Sequence, residues 1–383
     1  MTGSPQAGLA TVVAAFHGLS LHLRNTGQML EAAGAVGLLA SGALGLLRGQ
    51  RPTVLESADG VDLRREAMTG SWSMGDAAQG SSLAVREVRR PDGTTMFVVE
   101  LTTGTRYAPS LGIQVNGVGT YAEGGAGGET TLRWAVPTRR DAELLLAAIT
   151  ASLSPVAART LGARLPEPTE VSMAVVGSVT AVAPLFGIPG TSASGTASVR
   201  HEVTARSDGG QRFASSISGG GQVSATGLAG TGGAGSVTVA IHRNPAGAVD
   251  RLSVTATTEV DRGRHGRVLM EAGNREARLV EREIEIEMTP EQRAAGERIA
   301  TAMAQGRQPD PADLRAVASG TGIEIGRRTY DTRHQAGSVD VSLPGVGVGG
   351  ALSIDTADLR EASPDYAAAT PVPPGVPPRS PAS

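Results

Sequence analysis

The chain has 383 residues, which sets a prior of two or three domains. Its 40% hydrophobic content allows a sizeable core, but aromatics are only 3% and Gly numbers 52, so Val, Ile, Leu and Ala must do the packing. The formal net charge of −3 gives no electrostatic footprint for nucleic acid, the absence of Lys removes Schiff-base chemistry, and the absence of Cys removes disulfides, thiol catalysis and the usual structural zinc sites.

The N-terminus, MTGSPQAGLATVVAAFHGLS, has no basic region ahead of its apolar part, so a cleavable signal peptide is not expected. Residues 8–50 read as helix. The apolar run from Ala32 to Leu47, bounded by Glu31 and Arg48, falls short of the roughly 20 residues that a membrane span needs. Small residues recur in it at four-residue spacing, and Gly37, Ser41 and Gly45 mark a helix face that a second backbone can approach closely. The face suits packing on itself or on a partner; membrane insertion is the other reading.

From about residue 82 the period changes to two, the signature of strands. Runs of alternating residues flank Pro91-Asp92-Gly93, Asp208-Gly209-Gly210 and Asn244-Pro245-Ala246-Gly247, which predicts three antiparallel hairpins. Two helical interludes interrupt the strands. In the first, Thr138 with Asp141 resembles a capping box and Ser154-Pro155 opens a second helix. In the second, Thr289, Pro290 and Gln292 form the box, Asp310-Pro311 opens the next helix and Gly320 ends it. The matched pattern suggests an internal duplication of residues 130–200 and 282–356.

Two matches to G-x-G-x-x-G, at Gly230, Gly232 and Gly235 and at Gly345, Gly347 and Gly350, are followed by strand-like alternation. A dinucleotide loop needs a helix N-terminus there to hold pyrophosphate, so neither is expected to bind a nucleotide. The six histidines make no H-E-x-x-H, and no G-x-S-x-G elbow is present. Glu281, Glu283, Glu285 and Glu287 alternate along one stretch and share one face of a strand, roughly 6.7 Å apart in sequence order. They read as a solvated sheet face paired with Arg on adjacent strands; a cation- or partner-binding ribbon is the alternative.

The Gly- and Ala-rich helical start resembles the WxG-type helical region of large actinobacterial secreted and polymorphic-toxin proteins. DAELLLAAITASL, LPEPTEV, EIEIEMT and GRRTYDT, with the alternating strands around them, are similar to the β-rich spacer of such proteins, a likeness covering residues 30–357. The resemblance implies type VII export and a place in secretion or toxin delivery.

The expected fold class is α+β: a helical N-terminal segment followed by antiparallel β-meander sheets interrupted by two helix pairs. The divisions are a helical segment at 1–50, a β-rich domain at 51–265 with a helix pair near 138–164, a second β/helix-pair unit at 266–357, and a Pro-rich disordered tail at 358–383. The expected function is a non-catalytic scaffold or accessory protein of a secretion or toxin-delivery system. It would act through a protein partner or self-association, with Gly37, Ser41 and Gly45 as its contact face. The alternative is a lipid-binding or membrane-active amphipathic β-structure, and an uncharacterised enzyme is third. Neither a cofactor, a metal nor nucleic acid is expected, and the chain reads as cytoplasmic or as exported without a cleavable signal.

Overall fold

The computed structural model describes residues 52–56, 58–74, 77–107, 110–115, 118–153, 165–184, 191–225, 231–261, 271–286, 288–305, 307, 309–318, 322–343, 346–362 and 371–372. The strands run β1 (Val61–Met74), β2 (Ala77–Arg89), β3 (Thr95–Tyr107), β4 (Ser110–Val115), β5 (Val118–Val136), β6 (Glu170–Pro184), β7 (Thr191–Arg206), β8 (Gln211–Ala225), β9 (Thr231–Arg243), β10 (Val249–Asp261), β11 (Glu271–Ile286), β12 (Gly322–Leu343), β13 (Val346–Ala362) and β14 (Pro371–Val372). Among the described residues there are three helices, α1 (Arg139–Leu153), α2 (Pro290–Ala304) and α3 (Pro311–Ala318).

Twelve of these strands close into an antiparallel barrel. The order is β1-β2-β3-β5-β6-β7-β8-β9-β10-β11-β12-β13, and β13 returns to pair with β1 from Arg64↔Asp358 to Met74↔Val348. The lateral register climbs as it circles. Followed one way from Leu132 on β5 it passes Leu101, Leu83, Met68, Ile354, Gln335 and Asn274; followed the other way it passes Val171, Ala205, Gln211 and Arg243. Asn274 lies near the start of β11 and Arg243 at the very end of β9, so the strands tilt steeply across the barrel axis, as closure requires.

The α+β expectation is therefore corrected: the fold is a closed β-barrel with short helical insertions. Its barrel strands are 13 to 22 residues long because pairing continues through stretches with no hydrophobic alternation, such as Gly219, Gly220 and Gly221 on β8. Backbone hydrogen bonds hold these residues in the sheet where side-chain pattern gives no signal. Strands from both 51–265 and 266–357 share the one barrel, and β13 runs on to Ala362. The helical N-terminal segment at 1–50 lies outside the described residues, as does most of the Pro-rich tail.

The barrel has two unlike ends. At one, here the collar end, lie the three hairpin turns and all three helices. The turns share one geometry: Gly93, Gly209 and Gly247 have φ of 83°, 90° and 84°, each closing a three-residue loop between Arg90 and Thr94, Arg206 and Gly210, or Asn244 and Ala248. Only the αL conformation returns the chain here, so Gly is the residue that fits. At the opposite end β4 pairs with both β5 and β12, which lie on opposing sides of the barrel, so it bridges that opening.

The helices cover the outer wall at the collar. Leu145, Ile149 and Ala142 of α1 pack on Leu83, Val99, Leu101, Leu132, Trp134 and Val136. Ala295, Ile299, Ala300 and Met303 of α2 pack on Phe213, Ile241, Val249, Leu252 and Ile286. The two insertions follow β5 and β11, six strands apart whichever way the barrel is circled, and each joins neighbouring antiparallel strands. Inside the collar rim the segment before β1 is strapped down: the Leu55 amide donates to the Ala135 carbonyl at 2.6 Å and Arg206 donates to Asp59 at 2.8 Å. Ala58 and Leu55 there meet Val88, Met96, Val98 and Ala135 in a small inner core.

Candidate functional site

Strand alternation sorts the side chains onto two walls. Which wall faces inward follows from long-range proximity. Arg212 on β8 has Glu283 on β11 and Arg133 on β5 among its charged neighbours, each three strands away. Tyr330 on β12 likewise has Asp62 on β1 and Arg86 on β2 near it. Only the concave face of a closed sheet brings such strands together, so these residues point into the lumen.

Away from the collar the inner wall is mainly small and hydroxylated, with the His334–Asp355 pair and Glu259, which accepts from the Thr332 hydroxyl at 3.4 Å, as larger members. Neighbouring strands join through hydroxyl pairs: Thr69 with Ser82 at 3.0 Å, Thr102 with Thr131 at 2.9 Å, Ser198 with Ser218 at 2.6 Å, Ser216 with Thr238 at 2.8 Å and Ser236 with Thr257 at 2.8 Å. Each hydroxyl can donate one bond and accept others, so the ladder satisfies itself laterally.

Near the collar the same wall turns to long charged side chains. Arg86 grips Asp62 with two nitrogens, at 2.7 and 2.9 Å, and donates to Glu100 at 2.8 Å. Arg133 stands between Glu100 at 3.6 Å and Glu170 at 3.6 Å and donates to Ser172 at 2.7 Å. Glu202 takes Arg200 at 2.9 Å and Arg212 at 3.5 Å, and Arg200 also reaches Glu129. Arg251 donates to Glu283 at 2.7 Å, and Arg328 donates to Glu281 at 2.5 Å and Glu283 at 3.3 Å. Glu100 and Glu202 are buried, and both are held by more than one guanidinium, the arrangement a carboxylate needs away from bulk water.

The outer wall is the reverse. Val175, Val179, Ile217 and Val260 are 63%, 59%, 65% and 55% exposed, Val199 and Val237 are exposed on the strands between them, and Tyr107 on β3 and Ile354 on β13 are exposed outside that arc. Val199, Ile217 and Val237 pair directly across β7, β8 and β9, so they form a continuous row. From β11 through β13 to β1 the outer wall instead carries ion pairs: Glu276 with Arg333, Asp331 with Arg360, and Arg64 with both Glu66 and Asp358.

Glu281, Glu283 and Glu285 do share one strand face, and Arg residues of adjacent strands pair with them; that face is the lumen wall. Glu287 lies outside the described residues, as do Gly37, Ser41 and Gly45. Gly232, Gly235, Gly347 and Gly350 sit on β9 and β13, with no helix following. His201 bonds Ser215, His334 pairs with Asp355, and no group of metal-ligating side chains assembles among the described residues. A surface hollow of about 760 Å³ lies between α2 and α3, but its Arg298 is engaged by Asp313 and its Glu297 by Arg243. Sequence reasoning missed Arg86, Glu100, Arg133, Glu202, Arg212, Arg251 and Arg328. The available signal was charged residues taking the place of Ser and Thr at every second position of otherwise amphipathic strands.

No family model matches the chain, and no curated protein matches it. Among solved structures it is similar to the β-domain of the Bordetella autotransporter BrkA, with 10% identity and a TM-score of 0.25 over 77% of this chain and 98% of that one. It is similar to the translocator domain of the autotransporter NalP from Neisseria meningitidis, with 10% identity and a TM-score of 0.21 over 87% and 96%. It is also similar to the TodX monoaromatic hydrocarbon channel, with 8% identity and a TM-score of 0.23 over 82% and 93%. Likeness at these scores carries no argument about function, which has to come from the two walls themselves.

Proposed function

We propose that the chain is a non-catalytic β-barrel that resides in a lipid bilayer, with the apolar arc of its outer wall against hydrocarbon. The observation that carries this reading is the row of exposed Val199, Ile217 and Val237 outside, backed by Ser198, Ser216, Ser218, Ser236 and Thr238 inside. A water-soluble barrel places its apolar residues the other way round. Closure supports the reading, because a bilayer admits sheets only when no strand edge is left unpaired. Length supports it too: a spanning strand needs about 9–11 residues, and strands of 13 or more leave enough for a helix-covered collar outside the hydrocarbon. No described helix is long and apolar enough to cross a membrane. In this reading the ion-paired arc from β11 to β1 is shielded from lipid by self-association, and the collar helices stay in water.

The test is flotation with liposomes, comparing wild type with Ile217→Asp combined with Val237→Asp. A charge at the bilayer centre costs roughly 2–4 kcal/mol for the basic residues and less for Asp, so two should clearly weaken flotation while strand content by circular dichroism is unchanged. If neither protein floats and the double variant is merely more soluble, the membrane reading is wrong. The contact face of the secretion-scaffold reading, Gly37, Ser41 and Gly45, lies outside the described residues.

A further inference from the structure

Twelve strands make an intermediate barrel. With eight, side chains fill the interior; with sixteen or more, an aqueous channel remains. At twelve, the identity of the inward side chains decides whether a given level is open. A wall of Ser, Thr and Gly extends only a short way inward, so the hydroxyl-lined levels stay wide. Arg and Glu side chains are several bonds longer. Where the wall carries them, Arg212 comes within electrostatic reach of strands on both of its flanks, and Tyr330 of strands two and three places away. Below the rim crossed by the segment before β1, the lumen therefore narrows at the layer holding Arg86, Glu100, Arg133, Glu202, Arg212 and Glu283.

Resting on the membrane reading above, we infer that this arginine–carboxylate layer is the barrel's permeation barrier and charge filter, closing the lumen to small hydrated ions and setting the sign of those that pass. The layer suits that task because its charges engage one another. Guanidinium and carboxylate groups pair from β2 round to β12: Arg86 with Glu100, Glu100 with Arg133, Glu202 with Arg212, Arg251 with Glu283, and Glu283 with Arg328. Charges held in such pairs draw counter-ions only weakly. Neutralising one sign must do two things together: break the ion pairs that hold the network across the path, and leave the other sign free to attract its counter-ion. The β4 bridge at the far opening and the strapped segment at the collar rim are the competing places for a barrier, and neither predicts these effects.

The experiment is single-channel recording on the full chain in planar bilayers with a KCl gradient, with liposome flotation run in parallel. Wild type should float and show few or very small conductance steps. Arg212→Gln with Arg251→Gln should give steps several-fold larger and a reversal potential shifted toward cation selectivity. Glu202→Gln with Glu283→Gln should also enlarge the steps, with the shift of opposite sign. Because Glu202 and Glu283 are deeply packed, Glu281→Gln with Glu285→Gln, at more exposed members of the layer, serves as a milder second acidic variant. Variants that float and keep their strand content yet conduct like wild type, or that shift the reversal potential in one common direction, overturn the inference while leaving the membrane reading intact. Loss of flotation already in wild type sinks both.

Discussion

The two helical insertions occupy equivalent places in the barrel and are seated by different means. Under α1 the seat is built on bulk. Trp134 is fully buried there, and its indole N–H donates to the Pro166 carbonyl at 2.9 Å, so the largest side chain of the core is also fixed in orientation. Under α2 the seat is built on closeness. Ala295, Gly296 and Ala300 bring the helix backbone near the wall, and a Cβ at Gly296 would stand 3.3 Å from Leu252. Polar ties then hold α2 in place. Glu297 accepts from the Val249 amide at 3.0 Å and from Arg243 at 2.5 Å, and Arg243 lies 5.3 Å from the centre of the Phe213 ring. One architecture thus tolerates two packing chemistries, because what it requires is coverage of the collar's apolar wall rather than particular contacts.

That contrast can be broken by substitution. Trp134→Ala should have the largest effect, about 3–5 kcal/mol, as lost burial adds to a cavity that α1 cannot collapse into. Phe213→Leu, a smaller change in the other seat, should cost under about 1.5 kcal/mol. Equal losses in urea unfolding would show that the α1 seat does not depend on its largest aromatic. Gly296→Val should cost about 1–3 kcal/mol by overpacking against Leu252, with α2 becoming the first region exposed to proteolysis. Tolerance of Val there would remove closeness as the principle of that seat.

Smaller effects sharpen the comparison. Thr289→Ala removes a reciprocal cap, in which the Thr289 hydroxyl accepts from the Gln292 amide at 3.3 Å and the Gln292 side chain accepts from the Thr289 amide at 3.0 Å; about 1 kcal/mol should be lost, read as a lower Tm. The smallest effect separates two turns. Asp92 accepts from the Thr94 hydroxyl at 2.6 Å and its amide at 2.9 Å, and these bonds hold its carboxyl below the usual carboxylate range. Their contribution is complete above the unfolded carboxyl value and fades as pH falls through the lowered folded one. In the matching β9–β10 turn the acceptor is the Asn244 side-chain amide, 3.1 Å from the Ala248 N–H, which does not titrate. NMR shifts of the Thr94 amide should follow an acid titration that the Ala248 amide does not.

Local features were legible. The three Gly-centred turns and the Thr289 box could be named because each is set by a few consecutive residues. Closure could not, since the β1–β13 seam joins Arg64 to Asp358 with no local signal at either strand. Nor could the sense of the walls. Alternation shows that Ile217 and Ser218 face opposite ways, but period two is blind to which of them faces the lumen. The same blindness left open which wall Glu281, Glu283 and Glu285 belong to. Their Arg partners were correctly anticipated, while closure turned the whole ribbon inward.

The seam also bears on assembly of the chain in time. Most pairings in the barrel join strands adjacent in sequence and can zip as hairpins while the chain is still being made, whereas β1 must wait for β13. Until then two long edges, thirteen or more residues each, stand open at once. Each is the other's natural mate, and each would equally accept the matching edge of a second molecule. Removing β13 should therefore leave a soluble-edge hazard rather than a smaller barrel, with β1 and β12 recruiting neighbours into domain-swapped or fibrous aggregates.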